Sequence, residues 1–542
     1  MYVFRDGRKA HPGEQLVRAA LDAIQELRPE NSDSILSALV SAGELECALE
    51  DAGSEAASAA RELTDGVAVM LAGGRANPDG LANLLKGMKP PRELRISVLE
   101  GFAYYALHPR KYLLLISTME LPERVAVIGI RSIGAPLSAV VRGALAASGR
   151  VAERITVRPG GHPYDRQLEP EPGLERFLER NRGAKFLIVD EGPGLSGSSF
   201  LAVAEWLAGS GVPEDDIVMI GSRAAPDPNC LRTKNAVTRW PRFAFRWVQP
   251  EAITPPDAEI AIGGGLWRRH FLIHNGADTP CWTQLDVPKY VSRDNRFVFR
   301  FEGFGHFGKA IGARSRRLAE LGLSPQYGGN FEGFGRYRIV EGRSLSGSDL
   351  SQGVLRHMAE YCALRVREFP HRVDGSSELE HMLRCNWRTE FGTELDEQLA
   401  SLDVVSPVVS DSRMHPGKWL QTPTGLLKVA AASHGDGHFF PGPCDIAWDL
   451  AGAIVEWELH PDAQELFLSH YRSLTNDDAG PRLRSYLLAY SAFRIGWCKM
   501  AAAASPGSYD ERLLLREARR YRLWAERFAH TPWAESGPLV AA

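Results

Sequence analysis

Three short, unbroken apolar runs punctuate the first half of the chain: Val125–Gly129, Phe186–Val189 and Ile217–Gly221. Each is too short for a helix and lacks the alternation of a half-exposed strand, so each predicts a strand buried on both faces of a parallel sheet. Between them the apolar positions fall at helical spacing. Leu137–Ala147 is one such stretch, and Leu201, Ala204, Leu207 and Ala208 form another that Gly209 and Gly211 stop. Strand and helix alternate, which predicts a doubly wound α/β domain over residues 94–249.

Upstream, Ala/Leu/Glu-rich runs at Leu16–Leu27, Ser34–Ala42 and Ser54–Leu63 predict a helical cap over residues 1–93, closed by Pro90-Pro91. Residues 250–265 have the composition of a linker. Beyond it, Phe297–Glu302 alternates as a strand, Ala310–Leu321 reads as a helix, and Leu426–Ala431 as a further strand. From Pro461 to His530, Tyr486, Tyr490, Phe493, Trp497, Tyr521 and Trp524 recur at helix spacing, as core aromatics do. Residues 266–542 therefore read as an α+β domain with a helical C-terminal lobe.

Chemistry concentrates where the second apolar run ends. Asp190 and Glu191 follow the strand, then a Gly/Pro/Ser-rich loop leads into a helix. Ser196, Gly197, Ser198 and Ser199 present backbone N–H groups and hydroxyls at that helix start, an arrangement suited to a phosphate. The two carboxylates are acceptors suited to vicinal hydroxyls, one loop away. A ribose 5-phosphate fits the pair.

This stretch resembles the ribose-phosphate loop of the type I phosphoribosyltransferases: four apolar residues, two acids, a spacer, then a Thr/Ser-Gly-x-Thr/Ser run. The resemblance implies that Asp190 and Glu191 hold the ribose hydroxyls and that Ser196–Ser199 hold the 5-phosphate of phosphoribosyl pyrophosphate (PRPP). It also implies a pyrophosphate loop at Ile130–Gly134, where Arg131, Ser132 and Gly134 stand. Mg²⁺, with Asp190 as a contributing ligand, and a mobile loop carrying Arg158, His162, Tyr164 and Arg166 complete that picture. A plain solvated loop at Ile155–Leu168 is the competing expectation. The stretch Glu100–Pro109 is similar to a phosphoribosyltransferase branch found near bacterial tellurite-resistance genes.

A second resemblance, to the aminoglycoside-phosphotransferase and choline-kinase group, covers about Trp282 to Phe528. It is carried by Phe297–Glu302, a helix ending in LAELGLSP, the hinge YRIVEGRSL, the loop Asp411–Lys418 with its His-Pro-Gly, and Asp445–Ala451. It implies a catalytic base at Asp411, a buttress at Asp445–Ala451 and ATP as a further ligand. The departures are specific. Arg300 stands where the phosphate-pairing Lys is expected, Lys418 where a metal-binding Asn is expected, and Asp436 is the nearest substitute for a second metal Asp, seven residues late. Phosphoryl transfer depends on positioned metal and cations, so a kinase fold is a firmer expectation than kinase activity. His434, Asp436 and His438 admit either a metal site or a capped turn. The GxGxxG at Gly303–Gly308 lacks the acidic partner of a dinucleotide fingerprint.

Composition narrows the partners. Over 542 residues the formal net charge is −4, so no global field steers the chain to nucleic acid or an anionic membrane, and small-molecule substrates are expected. No apolar stretch reads as a signal peptide or membrane span. Seven scattered cysteines without a C-x-x-C pair fit a reducing cytoplasm. The functional expectation is PRPP-dependent phosphoribosyl transfer, or its reverse, to an unidentified acceptor. A bifunctional enzyme with a small-molecule kinase, and a non-enzymatic PRPP or nucleotide sensor, stay open.

Overall fold

The computed structural model describes residues 1–4, 8–170, 172–249, 253–271, 279–373 and 375–530. The cap consists of α1 (Gly13–Gln25), α2 (Ser32–Asp51), α3 (Ala57–Leu71) and α4 (Pro78–Lys86). Asn31 and Asn77 cap α2 and α4 through their side-chain carbonyls. Helix α2 runs well past the predicted Ala42, because its buried face continues through Glu44 and Glu46, whose carboxylates find partners outside the cap. Strand β1 (Lys9–Pro12) pairs antiparallel with β2 (Glu93–Ile96), fastening the start of the cap to its end.

The next domain runs through α5 (Glu100–Ala103), α6 (Arg110–Ser117), β3 (Arg124–Ile130), α7 (Gly134–Ala147) and β4 (Val151–Val157). A hairpin of β5 (Gly160–His162) and β6 (Asp165–Gln167) follows, then α8 (Pro172–Arg180), β7 (Lys185–Val189), α9 (Ser198–Gly209), β8 (Ile217–Gly221), α10 (Ala236–Arg239) and β9 (Ala244–Trp247). The five core strands are all parallel in the order β4-β3-β7-β8-β9. Ile128 lies in register with Ile155 on one side and Ile188 on the other, and the apolar runs are fully buried, as continuous apolarity requires. The expected loop Ile155–Leu168 is corrected: Ile155–Val157 finish β4, and most of the remainder is the β5–β6 hairpin.

The last domain opens with an antiparallel sheet, β10-β11-β12-β14-β13, formed by β10 (Ala258–Ala261), β11 (Lys289–Ser292), β12 (Phe297–Phe301), β13 (Tyr327–Phe331) and β14 (Phe334–Arg338). Short helix α11 (Trp267–Phe271) and long helix α12 (His306–Glu320) are inserted between its strands. Strand β10 falls inside the expected linker, whose residues 250–252 lie outside the described residues; Ala258–Ala261 are the edge of this sheet rather than a spacer.

A largely helical lobe follows: β15 (Arg343–Ser344), α13 (Gln352–Glu368), α14 (Ser377–Phe391), α15 (Glu397–Ala400), β16 (Pro407–Val408), β17 (Trp419–Thr422), β18 (Gly425–Lys428), β19 (Cys444–Asp445), α16 (Ala447–Glu456), α17 (Pro461–Thr475), α18 (Gly480–Ala503) and α19 (Tyr509–His530). The predicted core aromatics are buried in it. Strand β18 ends at Lys428, not at the predicted Ala431, since Ala430 turns the chain with φ +56°.

Two contacts blur the expected boundaries. Val3 and Phe4 pack into the core of the helical lobe, and the backbone of Tyr2 exchanges hydrogen bonds of 2.5 and 2.9 Å with the Asn386 side chain, so the first residues belong to that lobe and not to the cap. The GxGxxG loop packs on the preceding domains. Phe304 N–H donates to the Phe102 carbonyl at 3.0 Å, and a Cβ at Gly305 would stand 3.2 Å from Ser37 Cα. Its glycines serve close packing. Among the described residues no helix is long and apolar enough to cross a membrane.

Candidate functional site

The carboxyl ends of β3 and β7 mark the point where strand order reverses, since β3 leads to β4 on one side and β7 to β8 on the other. In an open parallel sheet the crevice at that point is where ligands sit. The loops Ile130–Gly134 and Asp190–Ser199 leave the sheet on either side of it. The first loop hugs the strands: a Cβ at Gly134 would lie 2.6 Å from the Val189 carbonyl oxygen, so only glycine fits.

Asp190 is half-buried, with its Oδ1 accepting from the Glu191 N–H at 2.8 Å and its carbonyl accepting from the buried Tyr112 hydroxyl at 2.8 Å. Burial pushes its carboxyl up to about 7, with the Glu191 N–H, Arg158 and Arg166 opposing and Glu100 adding to the rise. Burial, then Glu100 and Asp190, push Glu191 up to about 8, against Arg223. Three carboxylates thus share one edge, and Glu100 is the member that sequence reading missed. Its signal was its place at the head of the Glu100–Pro109 stretch.

Ser196, Gly197, Ser198 and Ser199 lie at the N-terminus of twelve-residue α9. The hydroxyls of Ser196 and Ser198 are engaged. Ser196 and Ser198 donate to the Pro163 carbonyl at 3.1 and 2.9 Å, so the tip of the β5–β6 hairpin covers the loop. An entering phosphate would take the place of that carbonyl. Arg166 donates to the Pro159 carbonyl at 3.1 Å within the hairpin.

Arg131, expected to meet pyrophosphate, and Arg158, expected on a mobile loop, are both held by the cap. Arg131 is buried, with Nε 3.0 Å from Asp51 Oδ1 and a terminal nitrogen 3.5 Å from Glu50 Oε2. Arg158 grips the same Asp51 through two nitrogens at 2.7 and 2.6 Å and reaches Ser132 Oγ at 3.5 Å. Nearby, fully buried Arg154 is held by Glu46 at 2.7 and 3.1 Å and by Asp65 at 2.7 Å. The cap, in which no chemistry was expected, therefore supplies the counter-charges. Two surface clefts, of about 490 Å³ beside Glu205–Glu214 and 640 Å³ between α6 and β9, lie away from this edge.

A second cluster lies between the sheet and the helical lobe of the last domain. Asp411 is wholly buried: Lys428 Nζ is 3.0 Å from each carboxylate oxygen, the Tyr361 hydroxyl donates to Oδ2 at 2.5 Å, and the Arg413 N–H donates to Oδ1 at 3.1 Å. The N–H groups of Asp411 and Ser412 donate to Asp449 at 2.8 Å each, so the loop is clamped by the first turn of α16. Burial pushes Asp449 up to about 6 against Arg365. As a general base Asp411 is thus corrected: its oxygens are spent on Lys428 and Tyr361. Neither partner was expected, although a lone Lys inside the apolar run Leu426–Val429 was a readable sign.

Arg300 donates to the Ser433 hydroxyl, and Asp436 pairs with Arg314. His434, Asp436 and His438 do not converge. Among the described residues no three His, Cys, Asp or Glu side chains could share an ion, and this includes the expected metal positions Asp190 and Asp436. His438 instead reaches the preceding domain, stacking on Tyr104 at 4.9 Å, bonding the Tyr105 hydroxyl and lying 4.0 Å from Glu100. One short loop, Ser433 to His438, touches both clusters.

No family model matches the chain, and no curated protein matches it. Among solved structures, a choline/ethanolamine kinase family protein from Mesorhizobium loti is 15% identical, aligned over 46% of this chain and 86% of its own, with a TM-score of 0.34. Choline kinase LicA from Streptococcus pneumoniae is 15% identical over 44% and 89%, TM-score 0.31. Macrolide 2′-phosphotransferase MphH from Brachybacterium faecium is 14% identical over 46% and 89%, TM-score 0.30.

Proposed function

We propose that the parallel-sheet domain binds a ribose 5-phosphate through the edge of β7 and α9 and transfers it from PRPP to a small-molecule acceptor, or runs that reaction backwards. One observation carries the reading: an acidic pair and a serine-rich helix start stand side by side at the point where strand order reverses. Asp190 and Glu191 accept from the vicinal hydroxyls, and the same carboxylates offset positive charge developing on the ribose ring as pyrophosphate leaves. Ser196, Ser198 and Ser199, with the N–H groups that open α9, take the phosphate once Pro163 is displaced. Mg²⁺ finds no three-ligand cage among the described residues, so no step is assigned to it. The test is calorimetric titration of PRPP into the full chain and into the D190N/E191Q variant, followed by pyrophosphate release with a panel of nucleobases. Equal affinity in the two proteins would refute the reading, and tight binding without release across the panel would make the domain a sensor.

A second reading, phosphoryl transfer from ATP by the last domain to a small alcohol or amine, is favoured by the clamp that Asp449 places on the Asp411–Lys418 loop. The sequestered Asp411 argues against turnover. Turnover of ATP that D411N abolishes, with PRPP affinity unchanged, would establish it.

A further inference from the structure

We infer that the basic cluster between the sheet and the helical lobe of the last domain is a metal-independent receptor for a pyrophosphate-type anion, held directly by Lys289, Arg300, Arg413, Lys418 and His434. These groups come from separate elements. Lys289 on β11 stands directly opposite Arg300 on β12, so both project from one face of the sheet. Arg413 and Lys418 come from the clamped loop, and His434 from the turn after β18. The hydrogen bond from Arg300 to Ser433 ties the sheet to that turn.

The acids nearby do not balance these charges. Asp286 pairs with Lys289, Asp411 with Lys428, and Asp436 with Arg314. Arg300 reaches only a neutral hydroxyl, although buried Glu302 attracts it from the end of the same strand. Among the described residues Arg413 and Lys418 have no carboxylate within salt-bridge distance, and each lies near an indole ring, of Trp497 at 5.7 Å and Trp267 at 5.4 Å. Among the described residues, buried Arg413 Nε and His434 Nδ1 have no hydrogen-bond partner. Burial, then Arg413, Lys289 and Lys428, pull Lys418 down to about 7.

Gathering like charges in a half-buried cluster is unfavourable unless an anion joins them. Guanidinium forks and an ammonium suit phosphoryl oxygens. Two linked phosphates fit the number of cations and their origin on both the sheet and the lobe. A nucleotide–metal complex does not, because Lys418 stands where a metal-binding Asn is expected and Asp436, the nearest substitute for a second metal Asp, is already paired to Arg314.

The inference does not depend on the ribose-phosphate reading, and its test separates the two: S198D blocks the 5-phosphate loop, and binding at the Ile130–Gly134 loop would be untouched by R300Q or K418M. Inorganic pyrophosphate is titrated into full-length S198D protein, in EDTA and again in excess Mg²⁺. Binding in EDTA is expected, weakened about tenfold by R300Q and about tenfold by K418M, as loss of one charge-assisted contact predicts. Thermal unfolding of each variant checks that it is folded, and R300Q, on the half-buried strand face, serves if K418M is not. Binding that requires Mg²⁺, binding that neither substitution weakens, or no binding at all would overturn the inference.

Discussion

Lys428 Nζ lies 3.0 Å from both carboxylate oxygens of Asp411, with both side chains fully buried. Removing one member of such a pair strands the other charge in the interior, at a cost of about 3–5 kcal/mol. K428M is therefore expected to destabilise the last domain strongly, and D411N/K428M to recover part of the loss, because the double variant leaves neither charge of the pair stranded. The nearby Trp419 ring, 5.6 Å from Lys428 Nζ, makes tryptophan fluorescence a suitable unfolding probe. Equal stability of K428M and the wild type would show that the pair holds nothing together.

Asp190 and Glu191 should oppose stability while serving binding. Their folded values, about 7 and about 8, exceed the ordinary carboxyl values of 3.8 and 4.5, so the folded chain holds more protons than the unfolded chain across that window. Their contribution to stability therefore falls as pH rises from about 4 to 8. The neutral isosteres of D190N/E191Q are expected to raise the melting temperature at pH 8 by roughly 2 °C or more while abolishing PRPP affinity. Differential scanning fluorimetry at pH 5 and 8 checks this, and the gain should shrink at pH 5. A lower melting temperature at pH 8 would mean that both acids are anions held by structural partners.

The sheet was legible because strands buried on both faces must be apolar at every position, and Val125–Gly129, Phe186–Val189 and Ile217–Gly221 are. The helix start after β7 was legible because acid pair, serines and apolar helix residues are contiguous. What escaped was non-local or locally ordinary. Glu46 and Arg154 are 108 residues apart, and neither differs in sequence from a solvated charge. Strand β10 is an edge with exposed side chains, so its composition is that of a linker. Asp411 matched a catalytic loop, but its role is decided by Lys428, seventeen residues later.

Asp51 sits between two arginines of the neighbouring domain, Arg131 and Arg158. Where those guanidiniums serve pyrophosphate, the cap carboxylate competes with the ligand for them. D51N is expected to lower the melting temperature of the free protein, because half-buried Arg158 loses its counter-charge and buried Arg131 keeps only the longer contact to Glu50. Pyrophosphate should then restore more stability in D51N than in the wild type, by mass action on a site with freed donors. An equal ligand-induced shift in both proteins would mean that the arginines only fasten the cap.

Lys418 gives the basic cluster of the last domain its own pH dependence. It is faced by Arg413, Lys289 and Lys428, by Asp286 on the attractive side, and by the Trp267 ring. Its folded value of about 7 lies below the ordinary 10.5, so the folded chain holds fewer protons than the unfolded chain between those values. Its penalty on stability is complete below about pH 7 and is relieved as pH rises through the window. An anion reverses the preference, because a bound charge draws the ammonium form back, and binding above pH 7 must take up a proton. Sulfate, whose charge is fixed between pH 6 and 9, should therefore bind more weakly as pH rises past 7 in S198D protein, and should do so with a much smaller slope in S198D/K418M. Calorimetry in two buffers of different ionisation enthalpy measures the proton uptake directly. A flat profile with no uptake in the protein that keeps Lys418 would show that the ammonium stays charged and that another group accepts the anion.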